Sequence, residues 1–252
     1  MISLERLPRP PIPRLPLVAD PLRRIRVPAD LGSVTSRALE VADVEALGMT
    51  SAGVERIWAA AEQLYRSGMY PAVALCVRRH NQVVLDRAIG QARGNGPSDS
   101  SNDPRFLTGV VPAGNVVTTA NELSRFFDLL GAGGELDGVR VLESRTIRRA
   151  ISERSFREID LTLLAPLRHA SGLMLGAKAV SLFGPDTEQA FGHLGYTNVL
   201  GWADPERALS VGLITSGKPI LHPALADLWL LARAIGQEAP KLARAGTWFT
   251  DE

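Results

Sequence analysis

His193-Leu194-Gly195 is the short stretch of this chain best suited to facing a reacting group, because its residues supply different things. The glycine lets backbone come close to a ligand, the Tyr196 amide that follows can donate to an oxyanion, and the imidazole adds a polar or cationic group. Taken alone, the same residues also describe a histidine that happens to end a strand. Directly behind them, Tyr196-Thr197-Asn198 sets a phenol two residues before an amide, but an aromatic on a strand is commoner as packing. Gly212-Leu213-Ile214-Thr215-Ser216-Gly217-Lys218-Pro219 comes close to a phosphate-binding loop. It fails as one, because Pro219 stands where a magnesium-holding hydroxyl is needed and Gly212 falls inside a strand pattern. Ser171 and Ser216 lack the Gly-x-Ser-x-Gly surroundings of a nucleophile elbow. His80, His169 and His222 have no ligand spacing, and the single cysteine, Cys76, lies in an apolar run. Neither a metal site nor an internal disulfide is expected, and no cofactor is implied.

These residues need elements to position them. Val54, Ile57, Trp58, Ala61, Leu64 and Tyr65 recur at helical spacing between Thr50 and Gly68, with Thr50 or Ser51 as cap. Strands follow at Ala72 to Arg78 and Val83 to Ile89, joined by the turn Arg79-His80-Asn81-Gln82. Residues 91–104 carry no periodic apolar pattern and read as a loop. Thr119-Ala120-Asn121-Glu122 is a capping box, opening a helix with Leu123, Phe126, Phe127 and Leu130 on its apolar face. A hairpin on Asp137-Gly138 and a short helix capped by Ser144 come next. Strands are then expected around Gly172 to Leu175, Gln189 to His193, Thr197 to Ala203 and Leu209 to Ser216, and a helix from Pro223 to about Ile235 closes the series. The order predicts an α/β (α+β) fold: an antiparallel sheet of about five strands that joins the two chain ends, flanked by N- and C-terminal helices.

Composition narrows the functional classes. The chain has 252 residues, 45% hydrophobic and 22% charged, enough for a real core. A net charge of +1 gives no electrostatic footprint for nucleic acid. No apolar run reaches the ~20 residues of a membrane-spanning helix, and prolines interrupt the N-terminus where a secretory signal would be apolar. A cytoplasmic protein is expected. Residues 1–44, rich in proline and arginine, form an arm, followed by one domain over 45–236 with a junction near 91–110, and a tail over 237–252. The arginines of the arm are diluted by Glu5, Asp20, Asp30 and Glu40, so it reads as a segment wrapping its own domain rather than a membrane or partner anchor.

Several segments, taken in order, resemble the serine β-lactamase-related hydrolases: class C β-lactamases, D-Ala-D-Ala peptidases and the esterases that share their fold. Val83 to Gly90 is similar to that family's first strands, Val111-Pro112-Ala113-Gly114-Asn115 through Phe126 to its proline-glycine segment and following helix, and Gly133 to Leu142 also fits. Phe191-Gly192-His193-Leu194-Gly195-Tyr196 through Pro205 resembles the esterase-branch strand pair, where His-x-Gly stands in place of Lys-Thr-Gly. The resemblance implies that His193, Gly195 and Tyr196 line the oxyanion side of an acyl-transfer site.

The nucleophile is what the resemblance does not supply. Its serine must open a helix, where the dipole favours the alkoxide, and a lysine three residues on must share its face to take the proton. The three lysines, Lys178, Lys218 and Lys241, are preceded at that spacing by Leu175, Thr215 and Glu238. In the family the motif follows the second strand, so its place is between Gly90 and Val111, where the chain passes directly to Pro112-Ala113-Gly114-Asn115. The helical region that would carry a catalytic tyrosine is largely missing as well. The expectation is a hydrolase scaffold inactive as this chain. Its rivals are an esterase acting on a small ester or amide in an intact parent form, and a non-catalytic module that self-associates or binds a partner through an exposed sheet face.

Overall fold

The computed structural model describes residues 24–91, 116–161, 163, 165–195, 198–216 and 224–242. Its centre is the pairing of an early strand with a late one. Strand β2 (Ala72–Arg79) lies antiparallel to β11 (Leu209–Thr215), so the two halves of the domain share one sheet. The remaining strands are β1 (Thr35–Arg37), β3 (Gln82–Gly90), β6 (Glu153–Asp160), β7 (Ala165–Ala170), β8 (Met174–Leu175), β9 (Phe191–Leu194) and β10 (Leu200–Asp204). They complete a nine-stranded sheet in the order β1-β3-β2-β11-β10-β9-β8-β7-β6, while β4 (Glu135–Leu136) and β5 (Val139–Arg140) form a separate hairpin.

The fold class matches the sequence expectation, but the sheet is larger than about five strands. The additions are the short β1 and the pair β6 and β7. Glu153–Asp160 alternates charge rather than apolar residues, and it is fixed by its neighbour: Arg168 on β7 holds Glu153 through two hydrogen bonds of 2.8 and 2.9 Å. The segment before the domain reaches the core too, since Ile25 and Leu31 are buried in it and Thr35–Arg37 pairs with Ile89, Ala88 and Arg87.

Helices cover both faces. On one, α1 (Ser51–Arg66) and α4 (Ala224–Glu238) pack together, burying Ile57, Trp58, Ala61 and Leu64 with Leu228, Leu231 and Ile235 against Val73, Leu75, Val77, Trp202, Val211 and Leu213. Thr50 caps α1 by accepting the Gly53 amide, and the Arg56 guanidinium reaches across to Glu238. On the other face lie α2 (Ala120–Gly131) and α3 (Ser144–Ala150), over a smaller cluster of Phe127, Leu130, Ile147, Phe191 and Ala203.

Turn chemistry accounts for the tight connections. His80 and Asn81 both take positive φ, 48° and 62°, as do Asp137 and Gly138 at 53° and 77°, the twist that closes two-residue hairpins. The capping box forms in full: Thr119 accepts the Glu122 amide at 3.1 Å and Glu122 accepts the Thr119 amide at 2.8 Å. Ser144 behaves differently from expectation. Its hydroxyl donates to the Gly133 carbonyl at 2.9 Å instead of capping α3.

Candidate active site

Residues opposite each other in antiparallel strands project to the same face, so the register defines a row: His193, Gly201, Gly212, Cys76 and Asp86. All project toward α2. The two central glycines make a groove that admits the helix backbone. A methyl on Gly212 would stand 2.3 Å from the Ala120 carbonyl oxygen and 2.8 Å from the Ser124 nitrogen, and one on Gly201 would stand 2.2 Å from the Phe127 ring. Beyond the groove the contact turns polar. The Ser124 hydroxyl lies 3.3 Å from Cys76 Sγ, and Asn121 donates to Asp86 at 2.8 Å. Arg78 donates to Ser124 Oγ at 3.0 Å and to Asn121 Oδ1 at 2.7 Å.

This seating decides which side of α2 is inside. Ala120, Ser124, Phe127, Asp128, Leu130 and Gly131 are buried, whereas Phe126, counted on the apolar face from spacing, is half exposed. Small and polar residues fit the glycine groove, so helical spacing of apolar residues alone points one position away.

The helix covers the row from Asp86 to Gly201, and His193 at its end is exposed. Gly192, on the opposite face, is fixed by close approach, since a methyl there would meet the Gly201 carbonyl oxygen at 2.2 Å. Gly195 begins a tight hairpin: its amide donates to the Val199 carbonyl at 2.7 Å, and its carbonyl accepts the Asn198 amide at 2.9 Å. The Gly195 N–H is therefore committed. An oxyanion donor at this position would be the next amide, that of Tyr196, which lies outside the described residues, as does Thr197.

Asn198 is structural. It adopts φ of 59°, is buried, and its side-chain amide donates to the Tyr70 hydroxyl at 2.9 Å, while Thr215 donates to its carbonyl at 3.3 Å. Burial pushes the Tyr70 phenol up to about 12. Thr215 ends β11 and Gly212 lies within it under α2, so the near-phosphate-loop sequence is part of the sheet; Lys218 and His222 lie outside the described residues.

Sequence reasoning missed the polar residues beneath α2. Asp128, in its last turn, is buried, and Ser210 below it is fully buried. Desolvation pushes the Asp128 carboxyl up to about 6, against the lesser opposing effects of Ser210 and the Arg78 charge. Burial likewise pushes the Cys76 thiol up to about 11. Only the pairing of Ser210 with Arg78 and Ala203 shows that Asp128 faces inward; the sequence carries no such signal. Among the described residues no group of His, Cys, Asp or Glu is arranged to hold a metal ion, and no helix is long and apolar enough to cross a membrane.

A family model described as Beta-lactamase matches residues 91–235. The chain is also similar to Esterase/beta-lactamase LipL of Mycobacterium tuberculosis (strain ATCC 25618 / H37Rv), at 25% identity over 231 residues, covering 90% of this chain and 47% of LipL. It thus spans about half the length of that curated relative. Among solved structures, a novel penicillin-binding protein homolog from Caulobacter crescentus superposes with a TM-score of 0.55 at 13% identity, over 74% of this chain and 98% of its own. A family VIII carboxylesterase aligns with a TM-score of 0.45 at 24% identity, over 53% of this chain and 36% of its own. The first of these likenesses is one of fold, and it takes in nearly the whole of the other chain.

Proposed function

The chain belongs to the beta-lactamase family, and from that premise we propose that it is a serine-hydrolase scaffold with no hydrolytic activity of its own. One observation carries the proposal. The stretch between β3 and α2, residues 91–119, where the family places its nucleophile, contains no lysine. A serine there has no ammonium partner at the Ser-x-x-Lys spacing to take its proton, and a hydroxyl without an adjacent base is a weak nucleophile at neutral pH. A wall that can stabilise an oxyanion lowers the barrier only for a reaction that something else begins.

In an intact parent form the same wall would serve acyl transfer on a small ester or amide. His193 would be the polar side chain, Gly195 the point of close approach and the Tyr196 amide the oxyanion donor, with a serine supplied from outside this chain. The length of LipL, about twice the matched span, and its printed name support that second reading.

Incubation with a fluorophosphonate probe and with a fluorescent penicillin, followed by intact mass, tests the proposal. The expected result is unmodified protein and p-nitrophenyl butyrate hydrolysis at the rate of buffer. A single adduct abolished by substituting one serine would overturn it.

A further inference from the structure

A cavity of about 280 Å³ opens where the C-terminal end of α2 meets the β2–β3 turn. Its polar lining is Asp128, His80 and Asn81; its apolar lining includes Ala132, Leu136 and Leu242. Asp128 is 8% exposed, and its Oδ2 has no hydrogen-bond partner, nor does the buried Ser210 Oγ.

The nearby groups that could satisfy this carboxylate are engaged elsewhere. Arg78 donates to Ser124, Asn121 and the Asn81 carbonyl. Arg125 is paired with Asp137 at 2.6 Å, and the Asn81 side-chain amide donates to the same aspartate at 3.1 Å. His80 is held toward its neutral form, by burial first and by the Arg79 charge second. Asp128 also sits in the last turn of α2, which carries no basic residue, so the negative end of the helix dipole adds to its demand for a cation. A divalent metal ion would need several oxygen ligands where the cavity offers one carboxylate. An ammonium group needs one strong acceptor, and a short alkyl stem would lie against Leu136, Leu242 and Ala132.

We propose that this cavity binds a short primary alkylammonium ion, with the Asp128 carboxylate as counter-charge. The site lies at the far end of α2 from His193 and does not depend on the function proposed above.

Titration of the full chain with n-butylammonium chloride, followed by NMR shifts of backbone amides around the cavity, tests this. Saturable shifts at Ala132 and Leu136 are expected at pH 7.5. The neutral isostere 1-butanol should bind roughly tenfold or more weakly, and Asp128→Asn should weaken butylammonium binding by a similar factor. Burial raises the carboxyl to about 6, so affinity should fall as pH drops through that value; Arg78, Arg125, Asp137 and the Ser210 hydroxyl are the charged and polar groups around it. Leu136→Trp fills the cavity without touching Asp128 and should also abolish binding, which keeps the test independent of how Asp128→Asn folds. Equal affinity for 1-butanol, unchanged binding in either variant, or no saturable shift in the native chain would overturn the proposal.

Discussion

Replacing Asp128 by asparagine should stabilise this protein at alkaline pH, and by an amount the burial of the carboxyl sets. Desolvation raises its pKa from 3.8 to about 6, which corresponds to about 3 kcal/mol of preference for the protonated form in the folded state. Because the folded value lies above the unfolded one, the folded state binds the proton more tightly. The associated stability is fully present below about pH 4 and is lost as pH rises through about 6. Above pH 7 the native protein holds an ionised carboxylate under α2 with no hydrogen bond to its Oδ2. Asparagine keeps the shape, cannot ionise, and can donate to the Ser210 hydroxyl. The stability difference between variant and native protein should therefore shift in the variant's favour by about 1–3 kcal/mol between pH 4 and pH 8. Urea unfolding followed by tryptophan fluorescence measures it, since Trp58 and Trp202 are each 2% exposed and report on the core. Parallel pH profiles for the two proteins, or a variant that loses ground as pH rises, would refute the assignment of Asp128 as a desolvated carboxylate.

The glycine groove gives an ordered pair of outcomes. Gly212→Ala sets a methyl against helix backbone and should cost about 1–3 kcal/mol or more by overpacking. Gly201→Ala meets the Phe127 ring, which can swing, and should cost less; the reverse order in urea midpoints would break the account of how α2 is seated. Cys76 is fully buried with its thiol pushed up to about 11, so Ellman's reagent at pH 8 should leave the native protein unmodified and react fully in urea. Native-state reaction at the rate of a free thiol would show that α2 opens readily.

What the sequence made legible was local. The capping box at Thr119 and the two-residue turns at His80-Asn81 and Asp137-Gly138 follow from side-chain and φ preferences that need no distant partner. β6 was not legible, because Glu153–Asp160 is a strand only through pairing with Ala165–Ala170. The inner face of α2 was read one residue off for a related reason. Helical periodicity finds apolar stripes, whereas this helix lies against glycines 201 and 212 and so buries alanine, serine and aspartate. That the two glycines pair at all is a property of register, which joins positions eleven apart on β10 and β11 and is invisible until the hairpin is built.

The same register gives His193-Leu194-Gly195 its meaning. As a tripeptide it could end any strand; on the sheet it terminates a row whose other four members are occupied by α2. Packing alone would favour a small or apolar residue at the end of such a groove, under a longer helix or beside another. An exposed imidazole there adds nothing to the core and is placed to meet whatever lies beyond Phe127. The segment between Gly90 and Ala120 is the stretch of chain that would have to supply that neighbour in an acyl-transfer site, and without a lysine it supplies no Ser-x-x-Lys base. Inserting a family nucleophile helix at that junction should therefore restore labelling by a fluorophosphonate only if His193 and the Tyr196 amide already stand as an oxyanion wall. Restoration that survives His193→Ala and a rebuilt 195–199 hairpin without loss of rate would show that the wall contributes nothing.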